Sequence, residues 1–118
     1  MTKKKPIEKI DYNSIPREIE LFGRKIITVD HTDRLNKINV YGEARYGSNE
    51  IAMSYIHPEP DHKISIEEIK LTYLHEMFHF ILNFTGYENI LKDTKIDIEQ
   101  FIELISSAIY QYEKTRKY

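Results

Sequence analysis

The densest apolar run of the chain covers residues 71–82, broken only by Thr72, His75, Glu76 and His79. Apolar residues at helical spacing surround these positions, which predicts a helix buried over much of its circumference. Its start is marked by Ser65-Ile66-Glu67-Glu68, a capping box in which the Ser65 hydroxyl and the Glu68 carboxylate satisfy backbone donors. Ile64 and Ile69 flank that cap as a hydrophobic staple, and Gly86 supplies the left-handed residue that ends such helices. The expected helix spans 65–84.

A second helical period follows. Ile98, Phe101, Ile102, Ile105, Ala108, Ile109 and Tyr112 form one stripe of a helix starting near residues 93–97 and ending about Lys114. The first half of the chain alternates instead. Residues 17–22, 25–30, 36–41, 43–46 and 50–56 read as short strands, with turns at 23–24, 31–33 and 46–49. This predicts a mostly antiparallel meander in which 50–56 is free to act as an edge strand. Residues 57–63, with Pro58 and Pro60, form a loop. Strands first and helices after predict an α+β fold: an N-terminal strand meander packed against two C-terminal helices. Residues 1–13 read as a flexible polar arm and 14–118 as a single domain.

Composition narrows the chemistry. A hydrophobic content of 41% with 31% charged residues is that of an ordinary soluble globule. The net charge of −2 gives no argument for nucleic acid or an anionic membrane as partner. There is no cysteine, so any metal must be held by His, Asp or Glu. Lys3, Lys4 and Lys5 are not followed by an apolar run, and no stretch approaches a membrane span, so the expected location is the cytoplasm. The richness in Ile, Lys and Tyr suits an AT-rich coding genome, such as that of a low-GC bacterium or its phage.

His75-Glu76-x-x-His79 then acquires a specific meaning. Residues four apart on a helix share a face about 6 Å apart along the axis. Two imidazoles so placed can reach one Zn²⁺, which binds such nitrogens at about 2.0–2.1 Å. Glu76 points to one side, toward a water on the metal rather than the metal itself, as in hydrolytic zinc sites. The bland alternative, three polar groups on a buried helix, would leave them in need of partners. A catalytic zinc also needs a third protein ligand. Candidates are Glu99 and Glu103 on the second helix, and His57, Asp61 or His62 on the loop. With Ile98 at zero on a helical wheel, Glu99 falls near about 100° and Glu103 near about 140°, with Ser106 and Tyr110 on the same flank. Spacing leaves the two glutamates level.

Residues 51–111 resemble the small ImmA/IrrE-like and phage-encoded zincin domains. In those, an apolar strand and a polar loop lead into a helix bearing His-Glu-x-x-His. A second helix then brings a metal-binding Glu in the pattern Glu-x-x-Ala-Asn. The corresponding run here is Glu103-Leu104-Ile105-Ser106-Ser107, with serines in place of Ala-Asn. The resemblance implies a zincin-like fold in which His75, His79 and Glu103 hold Zn²⁺, with Glu99 as second choice. It also implies a minimal gluzincin, because the glycine and third histidine of the metzincin pattern are Leu82 and Thr85 here. Glu76 would act as general base and then acid on a protein or peptide substrate paired with strand 50–56. Tyr110 is the first candidate to stabilise the transition state, ahead of His57 and His62. The expected activity is peptide-bond hydrolysis in a phage or bacterial regulatory protein. The alternative is a zinc-holding module that binds a repressor or host factor without cutting it. A third possibility, a SprT-like protease working at DNA, finds no support in the charge pattern.

Overall fold

The computed structural model describes residues 15–56 and 64–117. The arm expected at 1–13 and the loop residues His57, Asp61 and His62 lie outside the described residues. The element order is β1 (Glu18–Leu21), β2 (Arg24–Asp30), α1 (Thr32–Lys37), β3 (Gly42–Arg45), β4 (Glu50–Met53), α2 (Ile66–Thr85), α3 (Tyr87–Asp93) and α4 (Ile98–Thr115). The strands form one sheet in the order β1-β2-β4-β3. The fold is α+β, with the sheet N-terminal and the two long helices C-terminal.

β1 and β2 form a hairpin whose loop residues, Phe22 and Gly23, have φ of 53° and 77°. This is the mirror-image turn that matches strand twist. β2 and β4 then pair in parallel, from Ile27 opposite Glu50 to Asp30 opposite Met53, which corrects the antiparallel expectation at the centre of the sheet. The cause lies in residues 31–41. The Asp30 carboxylate accepts hydrogen bonds from the Thr32 amide at 3.0 Å and the Thr32 hydroxyl at 2.6 Å. These start α1 where the pattern suggested only a turn, and fully buried Leu35 anchors it. Residues 36–41, expected as a strand, instead end the helix, with Asn39 left-handed at φ 59°. The chain thereby crosses β4 before β3 begins, and β3 pairs antiparallel on its far side, Gly42 opposite Met53.

β4 is therefore an interior strand, buried at Ile51, Ala52 and Met53, and not the edge expected of 50–56. Among the described residues, the edges are β1 and β3. α2 packs against β3 and β4. Ile69, Tyr73, Glu76 and Phe80 form its buried line, spaced three and four apart as one face of a helix requires. The three apolar members join Ile26, Ile51 and Met53 in the core. The Ser65 hydroxyl caps the helix by accepting from the Glu68 amide at 3.1 Å, and Gly86 ends it with φ 75°. α3 is a short helix with no buried residue, which the apolar pattern did not announce. α4 starts at Asp97, whose carboxylate accepts from the Gln100 amide at 3.2 Å, and packs on α2.

β3 approaches α2 so closely that a Cβ on Gly42 would lie 2.6 Å from Thr72 Cγ2 and 3.2 Å from Glu76 Cγ. Thr72 cannot swing aside, being β-branched with its hydroxyl bonded to the Glu68 carbonyl at 2.8 Å. Gly42→Ala is expected to lower unfolding free energy by about 1–3 kcal/mol, read from the urea midpoint. Thr72→Ser keeps the hydroxyl, removes the methyl and is expected to recover much of that loss. An unchanged midpoint in Gly42→Ala would contradict the close approach.

Candidate metal centre

The neighbouring line of α2 carries His75 and His79 toward α4. Their Nε2 atoms lie 3.2 Å apart, with ring centroids at 4.9 Å and planes at 61°. Glu99, in the first turn of α4, spans both: Oε2 lies 2.8 Å from His75 Nε2 and Oε1 lies 3.0 Å from His79 Nε2. Among the described residues, His75, His79 and Glu99 form the one cluster of three metal-ligating side chains.

The donor set fits zinc. Tetrahedral coordination at about 2.0–2.1 Å places two nitrogens about 3.3–3.4 Å apart, close to the separation of the imidazoles here. Burial holds the His79 ring below the usual histidine range, the nearby Glu99 carboxylate opposing this and the His75 ring adding to it. A neutral imidazole keeps the lone pair that a metal needs. Both histidine side chains are mostly shielded, whereas that of Glu99 is 65% exposed, so the cluster opens to solvent on the α4 side.

Glu76 lies on the line facing the sheet and is only 8% exposed. Its pKa is pushed up to about 7, chiefly by burial and then by Glu99, with a smaller contribution from Glu43; a backbone hydrogen bond from Ala44 opposes them. The close packing of β3 at Gly42 brings that strand beside the carboxylate. The three residues of the motif thus separate by helix geometry: 75 and 79 toward α4, 76 toward β3.

A cavity of about 360 Å³ runs from the cluster along α4, its walls including Gly42, Thr72, Glu76, Glu103, Ser106 and Ser107. Glu103, the ligand implied by the resemblance, lies one turn beyond Glu99 in this wall and outside the three-residue cluster. The structure brings together His75, Glu76, His79 and Glu99, the last being the second choice of the sequence reading. Tyr110 does not line the cavity; its ring lies 5.9 Å from Lys114 Nζ. Sequence reasoning overlooked a different phenol, Tyr46, just after β3. Burial raises its pKa to about 12, with further contributions from Glu88, Glu76 and Glu99. It is the last residue of the predicted strand 43–46, and nothing in the pattern placed that strand beside the site.

No helix among the described residues is long and apolar enough to cross a membrane. Comparison with protein-family models, with curated proteins and with solved structures found no match to this chain.

Proposed function

We propose that the chain is a zinc-dependent peptidase of zincin-like fold, in which His75, His79 and Glu99 hold Zn²⁺ and Glu76 is the general base. The observation that carries this reading is the convergence of His75, His79 and Glu99, with the buried Glu76 carboxylate lining the same cavity as His75 and Glu99. A metal held only as a structural clamp has no use for a buried carboxylate next to it, and burying one is costly. A zinc-holding binding module is therefore the weaker reading.

A bound zinc ion would supply Lewis acidity, making water a better nucleophile and polarising a carbonyl oxygen. The chain's own residues do the rest. Glu76 takes a proton from the water whose oxygen attacks the scissile carbonyl carbon. It then delivers that proton to the nitrogen of the breaking C–N bond. β3 replaces residues 50–56 as the strand for substrate docking: it is a sheet edge, and Ala44 within it bonds to Glu76. An extended peptide adding to that edge would lie alongside the base.

The test is zinc content by mass spectrometry on protein purified without chelator, together with cutting of unfolded casein. One zinc per chain is expected, with fragments whose formation stops on chelation and resumes when zinc is restored. A chain that holds no zinc even after addition of the metal would overturn the proposal. Zinc binding without any cutting would leave the binding module as the better reading.

A further inference from the structure

Glu103 and Ser106 line the cavity but belong to neither the metal cluster nor the base. Both sit on the α4 wall, three residues apart and hence on one helix face. Ser106 is 2% exposed, and its hydroxyl has no hydrogen-bond partner among the described residues. A buried hydroxyl without a partner is costly and uncommon in a folded protein. Ser106 therefore marks a position that no described residue satisfies and that a donor on a bound ligand would. Glu103 is exposed at the cavity wall, and no lysine or arginine is among the described residues lining that cavity. The space thus joins a carboxylate about 6 Å along the helix beyond Glu99 to an unsatisfied hydroxyl about 10 Å beyond it.

Resting on the peptidase reading above, we infer that this cavity is a substrate subsite selecting a lysine or arginine side chain next to the scissile bond. The carboxylate of Glu103 pairs with the cationic head, and the Ser106 hydroxyl accepts one of its N–H donors. A neutral side chain would leave Ser106 unsatisfied and Glu103 unpaired; Glu103 carries the discrimination, and Ser106 adds to it only where Glu103 holds the cationic head in place. The apolar stem of a long basic side chain packs along Leu71 and Thr72, which line the same cavity.

The test uses two metal-chelating probes that differ by one amine: the hydroxamates of N-acetyl-lysine and N-acetyl-norleucine. Each is titrated calorimetrically into the zinc-loaded protein. The lysine probe is expected to bind about tenfold more tightly, a difference of about 1.4 kcal/mol. In Glu103→Gln the ratio is expected to fall to about one while norleucine affinity stays the same. Ser106→Ala should reduce the preference and yet raise the melting temperature of the probe-free protein, because it removes the unsatisfied hydroxyl. Binding of both probes with equal affinity, or a lysine preference that survives Glu103→Gln, would overturn the subsite and leave the metal centre standing. Binding of neither probe would overturn both.

Discussion

Glu99→Gln is expected to weaken zinc affinity by at least about a hundredfold, while Glu103→Gln leaves it within about threefold of the wild type. The first figure follows from a comparison: removing a residue that only orients a ligand commonly costs 10–100-fold. Glu99 offers one oxygen to each imidazole, at 2.8 Å and 3.0 Å, so its loss removes a ligand outright. His75→Ala and His79→Ala should be at least as damaging. Glu103 lies outside the cluster, and losing its charge a turn away alters the field at the metal only weakly in an open cavity. The measurement is competition for zinc against a chromophoric chelator, with far-ultraviolet circular dichroism to show that each variant is folded. A larger loss in Glu103→Gln than in Glu99→Gln would place the third ligand at 103, as the Glu-x-x-Ala-Asn resemblance implied.

That choice was out of reach of sequence because it depends on how α4 is rotated. With Ile98 at zero, the apolar stripe centres at about −20°. The buried residues Ile102 and Ser106 lie at about 40° and about 80°, so the inward direction is near about 60°. Glu99 is then about 40° from that direction and Glu103 about 80°. Tyr112, a member of the stripe, is consequently 60% exposed. No periodicity argument recovers such a rotation when one of the two inward residues is a serine that reads as surface.

Legibility was greatest where local chemistry and packing agreed. In α2 the Ser65 cap, the Ile69-Tyr73-Phe80 spacing and left-handed Gly86 all describe one helix, and His75, Glu76 and His79 take their directions from it. The first half was read less well. Its parallel β2–β4 pair depends on the Asp30 side chain starting a six-residue helix with a single buried residue, Leu35. A helix that short carries too few apolar positions for a period, and the run 36–41 imitates a strand. The difference bears on the proposed substrate docking, since among the described residues the sheet edge lies at β3 and not at β4.

The most unusual expected result concerns Glu76→Gln: it should abolish hydrolysis by the zinc-loaded protein and stabilise the metal-free fold. As general base, Glu76 is expected to contribute about 10²–10⁴-fold to the rate, and glutamine cannot replace it. The stability effect follows from burial. Folding moves this carboxyl from its ordinary value of 4.5 to about 7, so between those values the folded chain binds more protons than the unfolded one. The stabilisation tied to the protonated form is complete below about 4.5 and is lost as pH rises through about 7. At pH 8 the folded protein carries an ionised carboxylate facing Glu99 and Glu43, eased only by Ala44. Glutamine retains an acceptor for Ala44 and carries no charge, so the variant is expected to be more stable there by about 1–3 kcal/mol. The lowered pKa of His79 acts in the opposite sense, favouring the fold as pH rises toward 6.5, but it is common to both proteins and largely cancels in the comparison. Urea unfolding in the presence of chelator, at pH 5 and pH 8, provides the measurement. The gap between variant and wild type should widen with pH, and saturating zinc should narrow it by placing a cation beside the carboxylate. A variant less stable than wild type at pH 8 would mean that Glu76 is held by a partner that glutamine cannot satisfy, and the case for a poised base would fall with it.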